Sequence, residues 1–305
     1  MRTYDFVMTH KLDADDYFIH RVQGRCAEKG LNFFLIEPLW VEAFYDKLQK
    51  GKVWPRVLLN MHSEHHQPED IYHRLVRLAF ERKTQVIDPP DIAQAAFDKS
   101  RLHPRLESAG FALPFTVIAP TGNGQGFKLT VEERVQLGSP FVIKPALGYG
   151  KRGVIMDAQS EGDLARSMAG WPDQRYLLQK RIVPRQIAGV PAYFRVFYAF
   201  GSLWFCWWNC FTDRYAPLLP GEMEKHGLQP LGEIVTRLAD LTRMQFFSSE
   251  IALTEAGRFV LIDYVNDQCH MLTQSANAQI GVPDAVVGGI AQRLVDGALQ
   301  WLAKP

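Results

Sequence analysis

The stretch GRFVLIDYVND at Gly257–Asp267 follows the run SSEIAL at Ser248–Leu253, and both have the composition of β-strands. Each run is short, apolar and rich in branched and aromatic residues, and the link Thr254–Gly257 is typical of a hairpin. Each predicted strand nevertheless contains an acid where a core strand is apolar, Glu250 in the first and Asp263 in the second. A buried carboxylate is tolerated only with a cation or a dense set of hydrogen bonds, so the two acids indicate a binding site.

This hairpin has the oxygen ligands that a divalent cation requires. Asn266 and Asp267 close the second strand, and an amide oxygen beside two carboxylates is an oxygen-only ligand set that suits Mg²⁺. Mg²⁺ held by few carboxylates usually takes nucleotide phosphates as further ligands. A single acid in a strand is more often at a sheet edge or a strand end, and that alternative stays open for each acid alone. Together, Glu250, Asp263 and Asn266 predict a metal–phosphate site in an ATP-using enzyme.

A second informative stretch, PFVIKPALGYGKRGVIMD at Pro140–Asp157, lies upstream. Its first strand ends on Lys144, and a basic turn containing Gly148, Gly150 and Gly153 leads into the next strand. Glycines allow the backbone to approach a polyphosphate and to direct N–H groups at it, while the lysine neutralises charge. A glycine turn in a hairpin can also be purely structural, and the Walker sequence G-x-x-x-x-G-K-[ST] is absent.

Composition excludes several classes of function. A chain of 305 residues suits two or three packed lobes, and its 47% hydrophobic and 22% charged content is ordinary for a globular protein. The net charge of +1 predicts neither a nucleic-acid partner nor an anionic membrane partner. No apolar run approaches about 18 residues, and no signal-peptide pattern is expected. Four cysteines without CxxC spacing are typical of reduced thiols, which predicts a cytoplasmic protein.

Residues 1–95 alternate predicted strands and helices, which favours a small doubly wound parallel sheet. No G-x-G-x-x-G follows the first strand, so we expect no dinucleotide site there. The loop His62–His66 follows the third predicted strand, at the sheet edge where open α/β proteins bind ligands. Its spacing matches no standard zinc site, so we interpret it as a solvated or substrate-facing loop, with metal binding as the alternative.

The remaining pattern predicts further helices. We expect a helix over Ile92–Leu106, kinked at Pro104, a short helix over Val131–Leu137 and an amphipathic helix over Pro283–Leu302. Thr212–Tyr215 is interpreted as a polar turn, from which Arg214 could reach an anionic substrate.

The order of these motifs from Asp98 to about His270 resembles that of the ATP-grasp enzymes. This family includes glutathione synthetase, D-alanine–D-alanine ligase, ribosomal-protein glutamate ligases and the ATP-grasp inositol phosphate kinases. The resemblance implies an α/β fold with an α+β catalytic part, the ATP-grasp fold, preceded by a small doubly wound α/β domain. The implied domains are a pre-ATP-grasp domain at 1–95, a small lid subdomain with the glycine loop at 96–175, and a catalytic subdomain with the metal site at 176–305.

The resemblance also assigns roles to residues that bind the nucleotide. Lys99 and Lys144 are similar to the two lysines of the family that contact ATP, and Gly148–Gly153 resembles its mobile glycine loop. Gln179–Ile182 resembles the hinge, whose backbone pairs with adenine. The implied nucleotide-binding set is Lys99, Lys144, Gly148, Tyr149, Gly150, Gly153, Gln179, Lys180 and Ile182.

The metal and catalytic residues follow from the same resemblance. Glu250, Asp263 and Asn266 resemble the Mg²⁺ ligands, and the implied catalytic residues are Arg195, Lys144 and Arg214. The chain departs from the family in two places. Tyr193 stands where an aspartate commonly precedes the arginine, and Asp263 and Asn266 have two residues between them instead of one. On a regular strand these two side chains point to opposite faces, so either a bulge redirects Asn266 or Asp267 takes its role.

The implied activity is ATP-dependent ligation of a carboxylate to an amine through an acyl phosphate, with release of ADP and phosphate. The alternatives are an ATP-grasp small-molecule kinase and a non-catalytic nucleotide-binding module. The implied ligands are ATP, Mg²⁺ and small carboxylate and amine substrates such as amino acids or peptides. Specificity is assigned to His62–His66 and Arg214, the substrates themselves stay undetermined, and a homo-oligomer is one option.

Overall fold

The computed structural model describes residues 1–10, 16–62, 67–120 and 126–303. The chain forms two compact units. Unit 1 consists of Met1–Gln94, Phe194–Ser248 and Asp267–Pro305, and unit 2 consists of Ala95–Tyr193 and Ser249–Asn266. The division into three consecutive domains at 1–95, 96–175 and 176–305 stays a prediction.

Unit 1 begins with the expected parallel sheet. The strands pair in the order β2-β1-β3-β4, and every pair is parallel. The elements of this region are β1 (Arg2–Thr9), α1 (Asp16–Glu28), β2 (Phe33–Ile36), α2 (Val41–Gln49), β3 (Val53–Leu59), α3 (Ile71–Glu81) and β4 (Gln85–Ile87). Apolar residues of β1, β3, α2 and α3 form one core, with Leu48, Leu58 and Leu75 fully buried. The carboxyl ends of parallel strands share one edge, so the residues that follow β1 and β3 lie near each other.

The region after β4 differs from the expected single helix. Helix α4 spans Pro90–Phe97 and helix α5 spans Lys99–Ser108, with the break at Asp98 and with Pro104 inside α5. Asp98 is extended, with φ −71° and ψ 94°, and its carboxylate accepts the N–H groups of Ser100 and Arg101. An N-cap of this kind starts a new helix, which is why the helix is interrupted at Asp98 and not at Pro104. The cap places Lys99 in the first turn of α5.

Unit 2 contains an antiparallel sheet with strand order β5-β8-β6-β7. Its elements are β5 (Thr116–Pro120), α6 (Val131–Leu137), β6 (Phe141–Pro145), β7 (Ile155–Ala158), α7 (Leu164–Gly170) and β8 (Arg175–Lys180). Helix α6 has the range that the sequence predicts, because Thr130 and Glu133 form a capping box at its start. Phe141, Ile143 and Leu178 belong to the buried core under this sheet.

The rest of the chain contributes a five-stranded sheet with the order β13-β12-β11-β14-β15. Its elements and neighbours are β9 (Gln186–Ile187), β10 (Val190–Pro191), β11 (Tyr193–Ala199), β12 (Ser202–Asn209), β13 (Arg214–Pro217), α8 (Glu222–Lys225), α9 (Pro230–Thr242), β14 (Phe246–Leu253), β15 (Phe259–Asn266) and α10 (Asp284–Leu302). The two acid-containing runs are therefore neighbouring strands, β14 and β15, as predicted. Thr254 N–H donates to Arg258 O at 3.0 Å in the link, and Gly257 supplies the positive φ of +74° that this turn needs.

Two expectations about the later chain have different outcomes. Arg214 and Tyr215 do not form a polar turn, because they pair with Asn209 and Trp208 as the edge strand β13. The expected closing helix is confirmed as α10, and its predicted apolar face is buried at Val286, Ile290 and Leu294. Among the described residues, no helix is both long enough and apolar enough to cross a membrane.

Candidate active site

A cluster of opposite charges lies inside unit 2, where the sequence predicted a phosphate site. The Nζ atom of Lys144, at the end of β6, lies 3.6 Å from Asp263 Oδ1 on β15 and donates to Ile262 O at 3.0 Å. The Nζ atom of Lys99 lies 3.9 Å from the same Asp263 oxygen. The structure therefore brings together a lysine from α5, a lysine from β6 and the predicted metal-binding acid from β15.

Both lysines are almost completely buried, at 6% exposure for Lys99 and 8% for Lys144. Burial lowers the pKa of Lys144, and the positive charge of Lys99 acts in the same direction. The negative charges of Asp263 and Glu250 oppose this shift by favouring the charged ammonium. Two buried ammonium groups beside a carboxylate form a site that can accept a further anion such as a phosphate group.

The predicted metal ligands all belong to unit 2. Glu250 lies in β14, while Asp263 and Asn266 lie in β15, and all three side chains are half-buried. In the described part of the chain, no group of three or more His, Cys, Asp or Glu side chains is arranged to hold a metal. A site here would consist of two carboxylates and one amide. That set fits Mg²⁺, which commonly combines one or two carboxylates with substrate phosphates.

The glycine loop adjoins the charge cluster, since Lys99 Nζ donates to Gly148 O at 3.0 Å. Gly150 and Gly153 both have a backbone conformation that side chains disfavour, and at Gly153 there is also no space for a side chain. Gly153 has φ +69°, and a Cβ atom there would lie 2.7 Å from Trp171 Cβ and 2.9 Å from Ser167 O. Gly150 has φ +58°, and a Cβ atom there would have no neighbour within 4 Å. A side chain at Gly153 therefore clashes with neighbouring atoms, whereas Gly150 needs only its backbone freedom.

The loop is also held by aromatic contacts. Tyr149 packs edge-on against Trp171, with 5.2 Å between the ring centroids. The guanidinium carbon of Arg152 lies 5.3 Å from the Tyr149 ring and 5.5 Å from the Trp171 ring. Ser167 Oγ donates to Gly153 O at 2.5 Å, which fixes the end of the loop to α7. Tyr149 thus anchors the loop, which the sequence pattern alone did not indicate.

The predicted hinge residues lie at the end of β8. Gln179 is buried and Lys180 is exposed, and Ile182 follows the strand as a half-buried residue. Lys180 N–H donates to Phe115 O at 2.8 Å, so this N–H is already engaged within the protein. An adenine contact at Lys180 would therefore use its carbonyl oxygen.

A hydrogen-bond network joins the hinge to the charge cluster through residues that the sequence pattern did not indicate. The Tyr264 hydroxyl accepts from Gln179 Nε2 at 2.8 Å and lies 2.5 Å from His103 Nδ1. Gln179 Nε2 also donates to Thr116 Oγ1 at 3.0 Å. One signal could have found His103, because it lies four residues after Lys99 and therefore on the same helix face.

The catalytic arginine implied by the resemblance belongs to unit 1. Arg195 on β11 is buried, its Nε donates to Ser248 Oγ at 3.0 Å, and its guanidinium carbon lies 5.2 Å from the Trp208 ring. Ser248 and Trp208 therefore fix the plane of this guanidinium. Tyr193, which replaces the usual aspartate, is a buried residue of unit 2.

The two specificity candidates also lie in unit 1. Arg214 is exposed at the start of β13. His62 is not solvated as expected, since it is 4% exposed and its ring stacks on Tyr72 with 3.5 Å between centroids. Residues 63–66, the rest of the predicted histidine loop, lie outside the described residues.

Comparison with solved structures relates this architecture to known proteins. The sequence matches no protein-family profile and no curated protein. The structure is similar to a RimK domain protein ATP-grasp from Sphaerobacter thermophilus, with a TM-score of 0.64 and 16% identity over 96% of this chain and 99% of that one. It is similar to D-alanine–D-alanine ligase from Bacillus anthracis complexed with ATP, with a TM-score of 0.65 and 14% identity over 98% and 97%.

A third structure extends the same likeness. The ATP-grasp ligase PsnB, complexed with its precursor peptide PsnA2 and AMPPNP, has a TM-score of 0.61 and 12% identity over 97% of this chain and 98% of its own. Three proteins with the same architecture thus match along almost their whole lengths, and the predicted α/β and α+β parts are both present. The chain therefore has the fold of these three ATP-grasp structures.

Proposed function

We propose that the chain is an ATP-dependent ligase that joins a carboxylate to an amine through an acyl phosphate. The observation that carries the proposal is the cluster in unit 2, where two buried lysines from different elements face one carboxylate beside a glycine loop. A purely structural core has little use for two buried ammonium groups, because each costs free energy to remove from water. An enzyme that binds a polyphosphate needs them. The ATP-grasp ligases of the same fold support this assignment.

The proposed nucleotide-binding roles are those that the resemblance implies. Lys99 and Lys144 would contact ATP phosphates, the loop Gly148–Gly153 would cover them, and the backbone near Gln179 would receive adenine. Glu250, Asp263 and Asn266 would hold Mg²⁺, which supplies charge neutralisation at the phosphates when it is bound. Asp263 would exchange part of its contact with the lysines for the ion.

The proposed reaction has two steps. An oxygen of the substrate carboxylate attacks the γ-phosphorus of ATP, the bond to the β–γ bridging oxygen breaks, and ADP leaves with that electron pair. The amine then attacks the carbonyl carbon of the acyl phosphate, the bond from this carbon to the phosphate oxygen breaks, and inorganic phosphate leaves with that electron pair while the amine releases a proton to solvent. Lys144 would stabilise charge on the transferred phosphoryl group. Arg195 stays the catalytic arginine that the resemblance implies. Arg214, which is exposed, would bind an anionic group of the substrate.

The substrates would be small carboxylates and amines, including amino acids or peptides. D-Alanine–D-alanine ligase and the PsnB complex with its precursor peptide are the neighbours that favour this class. We assign the protein to the cytoplasm, where ATP is abundant and where thiols stay reduced. The four cysteines, which all lie within the described residues, form no disulfide.

The test is ADP formation with Mg·ATP, a panel of carboxylates and a panel of amines. We expect ADP and inorganic phosphate in equal amounts, and both should depend on a carboxylate and an amine. Hydroxylamine in place of the amine should trap the acyl phosphate as a hydroxamate. ADP formation with a stable phosphorylated product and without phosphate release would show a kinase instead. Nucleotide binding without turnover on any acceptor would favour a non-catalytic module.

A further inference from the structure

Tyr264 is a buried polar residue whose ring and hydroxyl group make separate contacts. Its side chain is fully buried, and the ring lies under Lys144 Nζ, with 5.3 Å between the nitrogen and the ring centroid. A phenylalanine would provide the same ring. The hydroxyl group is therefore the distinctive part, and an unpaired hydroxyl at this depth would be destabilising.

The hydroxyl connects elements that are far apart in sequence. It accepts a hydrogen bond from the side-chain amide of Gln179 at the end of β8. It also contacts His103 on α5, and Tyr264 and His103 are 161 positions apart in the sequence. Burial raises the pKa of Tyr264, so the hydroxyl keeps its proton, and burial lowers the pKa of His103, so the imidazole stays neutral. Because Gln179 donates to the hydroxyl, the tyrosine proton is directed at His103 Nδ1, which accepts it.

Each element in this network also carries a residue of the proposed nucleotide site. Helix α5 carries Lys99 one turn before His103, and β15 carries Asp263 next to Tyr264. Strand β8 carries the hinge, with Lys180 directly after Gln179. A single hydroxyl therefore connects elements that carry both ends of the proposed nucleotide site.

We propose that Tyr264 is a positioning residue for nucleotide recognition, which sets the hinge at Gln179 relative to Lys99 and Asp263 and so determines the preference for adenine. This inference rests on the proposed function, since it assigns the adenine end of that site. The contacts of Tyr264 are with Gln179, His103 and Lys144, so its proposed role is indirect. It acts through the position of Gln179, whose displacement would move the neighbouring hinge backbone.

The test compares binding of Mg·ADP and Mg·GDP to the wild-type chain and to Tyr264→Phe by titration calorimetry. The variant keeps the ring under Lys144 and loses only the hydroxyl. We expect the ratio of ADP to GDP affinity to fall roughly tenfold, because one net hydrogen bond is worth about that factor. Gln179→Met removes the same bond from its other end and should reduce the ratio by the same factor. Each change also breaks one other contact, from Gln179 to Thr116 or from Tyr264 to His103. The double variant should nevertheless show less than the sum of the two losses in the ratio, because the Gln179–Tyr264 bond is common to both changes.

Tyr176→Phe is the matched control. Tyr176 is also buried in unit 2, and its hydroxyl also makes two hydrogen bonds, from Asp173 N–H and to Trp171 O, each at 2.8 Å. This variant should lose thermal stability and keep the wild-type ADP-to-GDP ratio. A folded Tyr264→Phe protein with an unchanged ratio would overturn the inference, and Gln179→Met decides the question if Tyr264→Phe does not fold. Failure of the wild-type chain to bind Mg·ADP would instead overturn the proposed function.

Discussion

The carboxylate of Asp263 has two buried lysines as neighbours, with Oδ1–Nζ distances of 3.6 Å to Lys144 and 3.9 Å to Lys99. Its negative charge lies beside both ammonium groups, and in the proposed function one of its oxygens would also bind Mg²⁺. Asparagine at this position keeps the shape and removes the charge. The consequences for catalysis and for stability are therefore separable.

We predict that Asp263→Asn reduces ADP formation at least about a hundredfold, because a ligand of the proposed Mg²⁺ is lost. The fold should survive, with a decrease in unfolding free energy of about 1–3 kcal/mol as the lysines lose their partner. Turnover and urea unfolding would measure the two effects. The control Asp157→Asn alters an exposed acid on β7 of the same unit and should change neither. Turnover of Asp263→Asn within a few-fold of wild type would contradict the proposed metal site.

His103 gives the site a predicted pH dependence. Burial lowers its pKa from the ordinary value, with Lys144 acting in the same direction and Glu107 opposing. The native state therefore favours neutral imidazole. The neutral imidazole of His103 makes its full contribution to the unfolding free energy above the unfolded-state pKa of about 6.5. This contribution is lost as the pH falls from that value through the lower native pKa.

We predict that wild-type unfolding free energy decreases more steeply than that of His103→Asn between pH 7 and pH 5. The difference between the two slopes should not exceed about 1.4 kcal/mol per pH unit, because one proton is involved. Urea denaturation across this range would measure it. The carboxylates of the chain titrate in both proteins, so they cancel in the comparison. Parallel curves for the two proteins would exclude His103 as the titrating group.

At this scale Lys144 and Asp263 were predicted because each is a charged residue in an apolar strand, whereas Lys99 was implied only by the resemblance to the ATP-grasp enzymes. It did not predict Tyr264 or His103. A tyrosine in an apolar strand and a histidine in a helix are ordinary, and their hydrogen bond joins positions 161 residues apart. Local patterns do not contain such pairings.

The glycine loop is the element whose geometry depends most on single atoms. Gly153 and Gly150 both have positive φ, but only Gly153 has neighbours within reach of a Cβ atom. We predict that Gly153→Ala lowers the unfolding free energy by about 2–4 kcal/mol, from backbone strain plus the clash with Trp171 and Ser167. Gly150→Ala should cost only about 1 kcal/mol, from backbone strain alone. Chemical denaturation would measure both, and equal losses would contradict the steric assignment.

The sequence predicted the type of most elements better than their ends. Helix α6 has the predicted range because its capping box is a local signal. The break at Asp98 was not predicted, although the Asp-x-Ser pattern is a helix N-cap, because the apolar spacing continues across it. The sequence predicts a turn at the start of β13, because Arg214 belongs to a polar run. Only the pairing of Arg214 with Asn209, which the sequence does not reveal, makes it part of a strand.

At the scale of the whole molecule, the proposed nucleotide-binding residues all belong to unit 2. This unit consists of two separate segments, Ala95–Tyr193 and Ser249–Asn266. The order of motifs predicted the fold, because strands, glycine loop and acids follow one another in a fixed sequence. The grouping of distant segments into one unit has no local signal. It results from contacts between the two segments, such as the hydrogen bonds from Leu261 N–H to Ala112 O at 2.9 Å and from Lys144 Nζ to Ile262 O at 3.0 Å.

We predict that Mg·ADP slows amide hydrogen exchange mainly in unit 2. Protection should increase in the segments 99–103, 144–153, 179–182 and 261–266, because the ligand binds there in the native state only. At 100 times its dissociation constant, the ligand should also add about 2.7 kcal/mol to the unfolding free energy. Magnesium without nucleotide is the control. Protection confined to Met1–Gln94 would contradict the assignment of the site.

Tyr149 and Arg152 pack on Trp171, so the fluorescence of this tryptophan should depend on the position of the glycine loop. The emission of an indole depends on nearby cations and on contact with water. A movement of the glycine loop that separates Arg152 from Trp171 would remove the nearby cation and would change the contact of the indole with water. The protein thus contains an intrinsic fluorophore whose signal, taken as the difference from Trp171→Phe, would report loop position in real time without an attached dye.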